Sequence, residues 1–261
     1  MKTTLRLSTF IVALVSVFTF SSCLNDDNGS SSGAMYHLPV TIYGNNDYGY
    51  TFYADCDSKL IPSMTNIMEV IPDLTTRNDI ERAFIAFDLA SETENGKELV
   101  AGETYQIIVR NDYFKPNYAI PTYSTVMSTE ATDSLHTSNQ RINYVDSNRI
   151  WAANGYVNAQ LTININRDKI FDLKTFYTES DIDVANNTLN LNLYYNSNSD
   201  QPNHQFTSDF SFRLPEEVAH KFQGETINLV LNAITEYGST TVTKVAELKE
   251  MAVKDFYAPQ F

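Results

Sequence analysis

Four histidines, two cysteines and 32 acidic residues carry most of the reactive chemistry open to this 261-residue chain. A metal pair on one helix or strand needs two ligands a few residues apart. His37, His136, His204 and His220 are scattered, no two within ten residues of each other. Asp181 and Asp183, followed by Asn186 and Asn187, hint at calcium, but the glycine and terminal glutamate of an EF-hand loop are missing. A solvated turn accounts for them. No Gly-x-Ser-x-Gly elbow and no phosphate-binding glycine loop occurs. Paired carboxylates for glycoside cleavage are defined by separation in space, which spacing in sequence does not give. The expectation is a non-enzymatic protein with no catalytic residue, no metal and no cofactor.

The cysteines differ in context. Cys56 lies between Asp55 and Asp57, whose charges disfavour the thiolate a nucleophile needs. Upstream of Cys23, Lys2 and Arg6 give a positive start, and Phe10 to Phe20 form an apolar run of eleven residues before Ser21-Ser22. A spanning helix needs about 20 apolar residues, so residues 1–22 read as a secretory signal peptide. The small residues directly before Cys23 resemble the lipobox of bacterial lipoproteins, with Phe20 in place of the usual leucine. That resemblance implies cleavage before Cys23 and a lipid on its sulfur, hence a membrane as partner. It also implies no internal disulfide and a structural role for Cys56. Residues 23–35, with Gly29, Ser30, Ser31, Ser32 and Gly33, form a flexible tether. Asp26 and Asp27 resemble the surface-export signal of Bacteroidota lipoproteins, placing the chain on the outer membrane at the cell surface; the periplasmic face is the alternative.

Charge narrows the partners. Removing Lys2 and Arg6 from the 18 basic residues leaves 16 against 32 acidic ones, so the mature chain carries −16. Phosphate backbones are held by clustered Lys and Arg, and no basic stripe is present, which excludes nucleic acid.

What positions any site here is strand. Val157, Ala159, Leu161, Ile163 and Ile165 alternate with Asn158, Gln160, Thr162, Asn164 and Asn166, the period of a half-buried strand. The pattern returns at Leu189 to Leu193, Phe210 to Leu214 and Ile227 to Ala233. Two facing sheets are required to bury such faces. Earlier, Val40–Tyr43, Tyr50–Tyr53, Ala83–Leu89, Tyr105–Val109 and Thr122–Met127 suit a small barrel. The fold class is therefore all-β: an OB-like barrel domain over 36–128, a polar connecting loop over 129–148 and an antiparallel β-sandwich over 149–261. Short helical turns fit Pro215 to Phe222 and Asn66 to Asp79. Within the loop, Asp133-Ser134-Leu135 resembles a Bacteroidota O-glycan sequon, making Ser134 a candidate modification site.

Aromatics supply the remaining cue. Trp151, the single tryptophan, opens the second domain, and Tyr194 and Tyr195 must point to opposite faces of one strand, so that one of them should face out. All three are candidate ligand-binding aromatics, able to stack on a sugar or anchor a partner.

The chain as a whole resembles the NigD-like lipoproteins of Bacteroidota. Asn148-Arg149-Ile150-Trp151 with Ala153-Asn154-Gly155-Tyr156-Val157 carries the resemblance most specifically, and Phe210-Ser211-Phe212-Arg213-Leu214-Pro215 adds to it. The family implies an N-terminal OB-type barrel and a C-terminal β-sandwich, and its link to a bacteriocin locus suggests immunity. The functional expectation is a surface lipoprotein that binds another protein in an immunity-like role. The alternatives are a glycan- or solute-binding lipoprotein and a fimbrial subunit.

Overall fold

The computed structural model describes residues 34–45, 49–72, 80–114, 116–129, 135, 138–222, 226–236 and 238–247, with the side chains of 219 and 244–247 left aside. Cys23, Ser134 and His136 lie outside the described residues.

The first domain is a closed barrel. Strands β1 (Tyr36–Asn45), β2 (Gly49–Ala54), β3 (Lys59–Pro62), β4 (Arg82–Leu89) and β5 (Thr104–Val109) run in the order β1-β2-β3-β5-β4, with the two-residue β6 (Tyr118–Ala119) paired to β4. Pairing of β1 with β4, Tyr36 opposite Phe87 through Thr41 opposite Arg82, completes the ring. Strands β3 and β5 are parallel, and helix α1 (Met64–Val70) follows β3. Five strands in this order with a helix between the third and fourth make the expected OB-type barrel. Ser63 starts α1, its hydroxyl accepting from Asn66 N at 3.2 Å. Asn66 then exchanges two hydrogen bonds with the Val109 backbone, at 2.6 and 3.0 Å, while Ile67 fills the barrel end. The run Ala83 to Phe87 is apolar throughout because both faces of β4 are covered.

The second domain contains β7 (Thr122–Met127), β8 (Tyr144–Ala153), β9 (Tyr156–Ile165), β10 (Asp172–Tyr177), the short β11 (Ile182–Asp183), β12 (Thr188–Asn196), β13 (His204–Arg213), β14 (Thr226–Thr235) and β15 (Gly238–Glu247), with helix α2 (Glu216–Lys221) after β13. Strand β7 joins the two layers, its first residues pairing with β13 and its last with β10, parallel in both cases. One layer is β8-β9-β13, the other β10-β12-β14-β15. Phe210, Phe212, Leu161, Leu191 and Leu229 meet between them in the larger core.

Two boundaries differ from expectation. Thr122–Met127 forms the expected strand but belongs to the sandwich, so the domains meet at Ile120-Pro121. Ile120 N bonds to Arg82 O in the barrel at 2.9 Å, while Pro121 O accepts from Ser211 N in the sandwich at 2.9 Å. The partners of β7 lie 50 or more residues downstream, out of reach of local patterning. Nor is 129–148 a plain connection. Gln140 N donates to Tyr195 O at 2.7 Å, Ile142 N donates to Ile234 O at 2.8 Å, and β8 already begins at Tyr144.

No described helix is long and apolar enough to cross a membrane. Cys56 packs, partly buried, against the barrel core.

Candidate functional site

Where the two domains meet, the most polar buried cluster of the described residues is assembled around Arg82 and Asp55. Arg82 opens β4 and Asp55 follows β2, both in the barrel. Their side chains are 0% and 2% exposed and pair bidentately, Nη1 to Oδ1 at 2.5 Å and Nη2 to Oδ2 at 2.6 Å. A charge pair so far from water is tolerable only if its remaining valences are filled. They are. Nη1 also donates to Thr41 Oγ1 at 2.8 Å, Nη2 to Asn158 Oδ1 at 3.0 Å, and Nε to Ser211 Oγ at 3.4 Å. All five guanidinium N–H groups are thus used. The guanidinium centre also lies 5.2 Å from the centroid of the Tyr156 ring, a cation–π contact.

The sandwich fills the other side of Asp55. Trp151 Nε1 donates to Oδ2 at 2.6 Å, and Asn154 Nδ2 donates to Oδ1 at 3.2 Å. Asn154 can reach because Asn154-Gly155 is a two-residue hairpin turn between β8 and β9, with φ of 51° and 78°. Positive φ at both central positions is the type I′ signature, the turn that matches the twist of its strands and favours Asn-Gly.

Two further acids extend the seam. Tyr156 Oη donates to Glu81 Oε2 at 2.9 Å, and Arg213 Nη1 stands 3.5 Å from Glu81 Oε1. The buried Asp209 of β13 accepts from Tyr118 Oη of the barrel and from Arg149 Nη2, both at 3.1 Å. Burial, reinforced by the charge and the accepting oxygen of Asp209, raises the Tyr118 phenol well above its ordinary value. Tyr156 is raised in the same way, by burial first and by Glu81 second. Burial also pushes Tyr123, Tyr177 and Tyr195 up to about 12.

These raised values set a pH dependence. An unfolded tyrosine ionises near pH 10, so the neutral phenols contribute fully below that value. As pH climbs from 10 through the folded values, the unfolded chain loses protons first and stability falls. Spectrophotometric titration should show these five tyrosines ionising at pH about 12 or above, together with unfolding. Their reversible ionisation near pH 10 in the folded protein would contradict the burial.

Of the candidate aromatics, Tyr194 and Tyr195 are buried, so neither faces out as expected, and Trp151 is partly buried. Trp151 is half-buried, with its only donor on Asp55. Tyr194 and Tyr195 do alternate, yet they are 5% and 1% exposed. Tyr195 packs in the sandwich core against Phe171, its hydroxyl donating to Asn164 O. Tyr194 faces the other way, where the segment after β7 covers it with Leu135, beside Phe176. Asp183 accepts from Asn186 N and Nδ2 at 3.1 and 2.7 Å, closing a turn. Among the described residues no three His, Cys, Asp or Glu side chains converge as metal ligands would.

Several sandwich residues that join the domains, Arg149, Trp151, Asn154, Tyr156, Ser211 and Arg213, lie in the stretches 148–157 and 210–215, and residues 124–246 match the NigD-like C-terminal beta sandwich domain. This domain belongs to the NigD-like family. Structures of similar fold include a toxin-related protein from Parabacteroides distasonis ATCC 8503, 17% identical, over 84% of this chain and 96% of that one, with a TM-score of 0.57. A protein of unknown function from Bacteroides vulgatus ATCC 8482 is 16% identical over 80% and 89% of the two chains, with a TM-score of 0.54. A NigD-like immunity protein from Bacteroides caccae ATCC 43185 is 18% identical over 84% and 94%, with a TM-score of 0.51. At such identities the likeness speaks for the fold. No curated protein matches the sequence. The seam residues Asp55, Thr41, Glu81 and Arg82 come from the barrel, outside the matched domain, and no local motif marks them.

Proposed function

We propose that this NigD-like chain is a non-enzymatic lipoprotein of the outer membrane, displayed at the cell surface, that acts by binding another protein in an immunity-like role. One observation carries the reading. The polar residues of the 148–157 stretch are spent on holding two domains as one body: Trp151 and Asn154 on Asp55, Tyr156 on Glu81 and Arg149 on Asp209. Side chains engaged in this way fix the sandwich against the barrel. The fold shared with a NigD-like immunity protein supports the role. Glycan capture has less support, since Tyr194 and Tyr195 are buried and the Trp151 donor is engaged by Asp55.

Intact native-host cells crosslinked with a membrane-impermeant reagent, followed by capture and mass spectrometry, test the reading. A reproducible protein partner is expected; recovery of the uncrosslinked chain alone would overturn surface display with protein binding. The anchor has its own test in the mass of the N-terminal peptide. Cleavage before Cys23 with acyl mass on that residue is expected, whereas a Cys23-to-Cys56 crosslinked peptide pair rules the anchor out.

A further inference from the structure

The barrel carries an apolar knob beside the point where the tether leaves it. Tyr113 and Phe114 follow β5 and are 91% and 88% exposed. Their rings meet edge to face, 5.4 Å between centroids, so they form a single projection. Two adjacent large aromatics this bare are an exception among the described residues, where most aromatics are packed. The knob is also fixed to the start of the folded chain. One carboxylate, the buried Asp112, accepts from Phe114 N through Oδ1 at 2.8 Å and from Ala34 N through Oδ2 at 3.0 Å. Met35 N, one residue on, bonds to Asp88 Oδ1 at 2.8 Å, so the chain is held by two carboxylates as it joins β1.

From this joint we infer that Tyr113 and Phe114 form a membrane-contact site, seating the barrel on the bilayer that holds its own anchor. The inference rests on the reading of Cys23 as lipidated. Between Cys23 and Ala34 lie eleven residue steps. A Gly/Ser-rich tether of that length has a root-mean-square span of about 20 Å and a limit of about 40 Å. The face carrying Ala34 and the knob is therefore the face that meets the membrane most often. Tethering makes the second contact intramolecular, so a weak contact suffices. Tyrosine and an adjacent apolar ring suit the interface, where an aromatic body enters the acyl boundary and a hydroxyl stays with the headgroups. The occupant is the lipid surface around the anchor, and zwitterionic lipid is the probe because a mature chain of net charge −16 is repelled by anionic headgroups.

The test uses residues 24–261 with an N-terminal His tag, held on phosphatidylcholine vesicles containing chelating lipid. Phe114→Trp is compared with Ile170→Trp, a residue 90% exposed in the turn between β9 and β10 of the other domain. With lipid brominated along its acyl chains, emission at position 114 should be quenched and blue-shifted, and that at position 170 unchanged. Both variants retain Trp151, so the difference between them isolates the new residue. Solvent-like, unquenched emission at 114, or equal quenching at both positions, overturns the contact site. An N-terminal peptide from the native host lacking acyl mass removes the anchor, and with it the proposal, whatever the vesicles show. The two failures are thus read from separate measurements.

Discussion

Arg82→Met should destabilise the protein by about 3–5 kcal/mol, the range for removing one partner of a buried ion pair. Methionine approximates the length of the stem but provides none of the five donors. Asp55 would keep only Trp151 and Asn154 as partners, with no cation to offset its charge in a site 2% exposed. Thr41, Asn158 and Ser211 each lose a bond as well. The loss is large because unfilled buried valences cost more than the bonds were worth net. Asp55→Asn should fall in a similar range, since it strands the guanidinium.

The pair acts as a unit, so the double variant Asp55→Asn/Arg82→Met should cost less than the sum of the single changes, with a coupling of about 1–3 kcal/mol. Urea unfolding reads this, and the chain supplies its own probe. Trp151 is the only tryptophan and sits on Asp55, so its fluorescence reports on the seam while far-UV circular dichroism reports on both domains. In Arg82→Met the fluorescence transition should move to lower urea ahead of the dichroic one. An Arg82→Met protein within about 0.5 kcal/mol of its parent, or an additive cycle, would mean the seam does not join the domains as described.

The seam also shows where reading a sequence stops. Strands of period two were legible at 157–165, 189–193 and 227–233 because burial of one face imprints alternation locally. The stretch at 148–157 stood out as a signature, but its task did not, since Trp151 and Asn154 meet Asp55 from 96 and 99 residues away. Asn158 reads as part of a wet face and is in fact fully buried, because the barrel covers it. The Arg82–Asp55 pair spans 27 residues with no motif between, and only barrel closure brings it together. β7 was visible as a strand and invisible as a sandwich strand for the same reason. Alternation states that two faces differ; what covers each face is decided by parts of the chain far away.

Tyr194 and Tyr195 turn that limit into an experiment. Tyr195→Ala should cost about 3–5 kcal/mol, the loss expected for truncating a buried aromatic in a packed core. Tyr195 is 1% exposed and lies in the core between the two layers, its ring near Phe171. Tyr195→Phe should cost about 1 kcal/mol, since it removes only the hydroxyl bond to Asn164 O. Tyr194→Ala should be milder than Tyr195→Ala. Its ring belongs to a small cluster with Leu135 and Phe176, with Lys174 Nζ 5.3 Å from its centroid, whereas Tyr195 lies in the larger core. A binding aromatic behaves in the opposite way: truncation leaves the melting point nearly unchanged and removes the ligand. Thermal unfolding of the three variants therefore separates the two roles without a ligand in hand. If Tyr195→Ala melted within a degree or two of the parent, the ring would have to lie outside the core, and the aromatic-ligand reading would return.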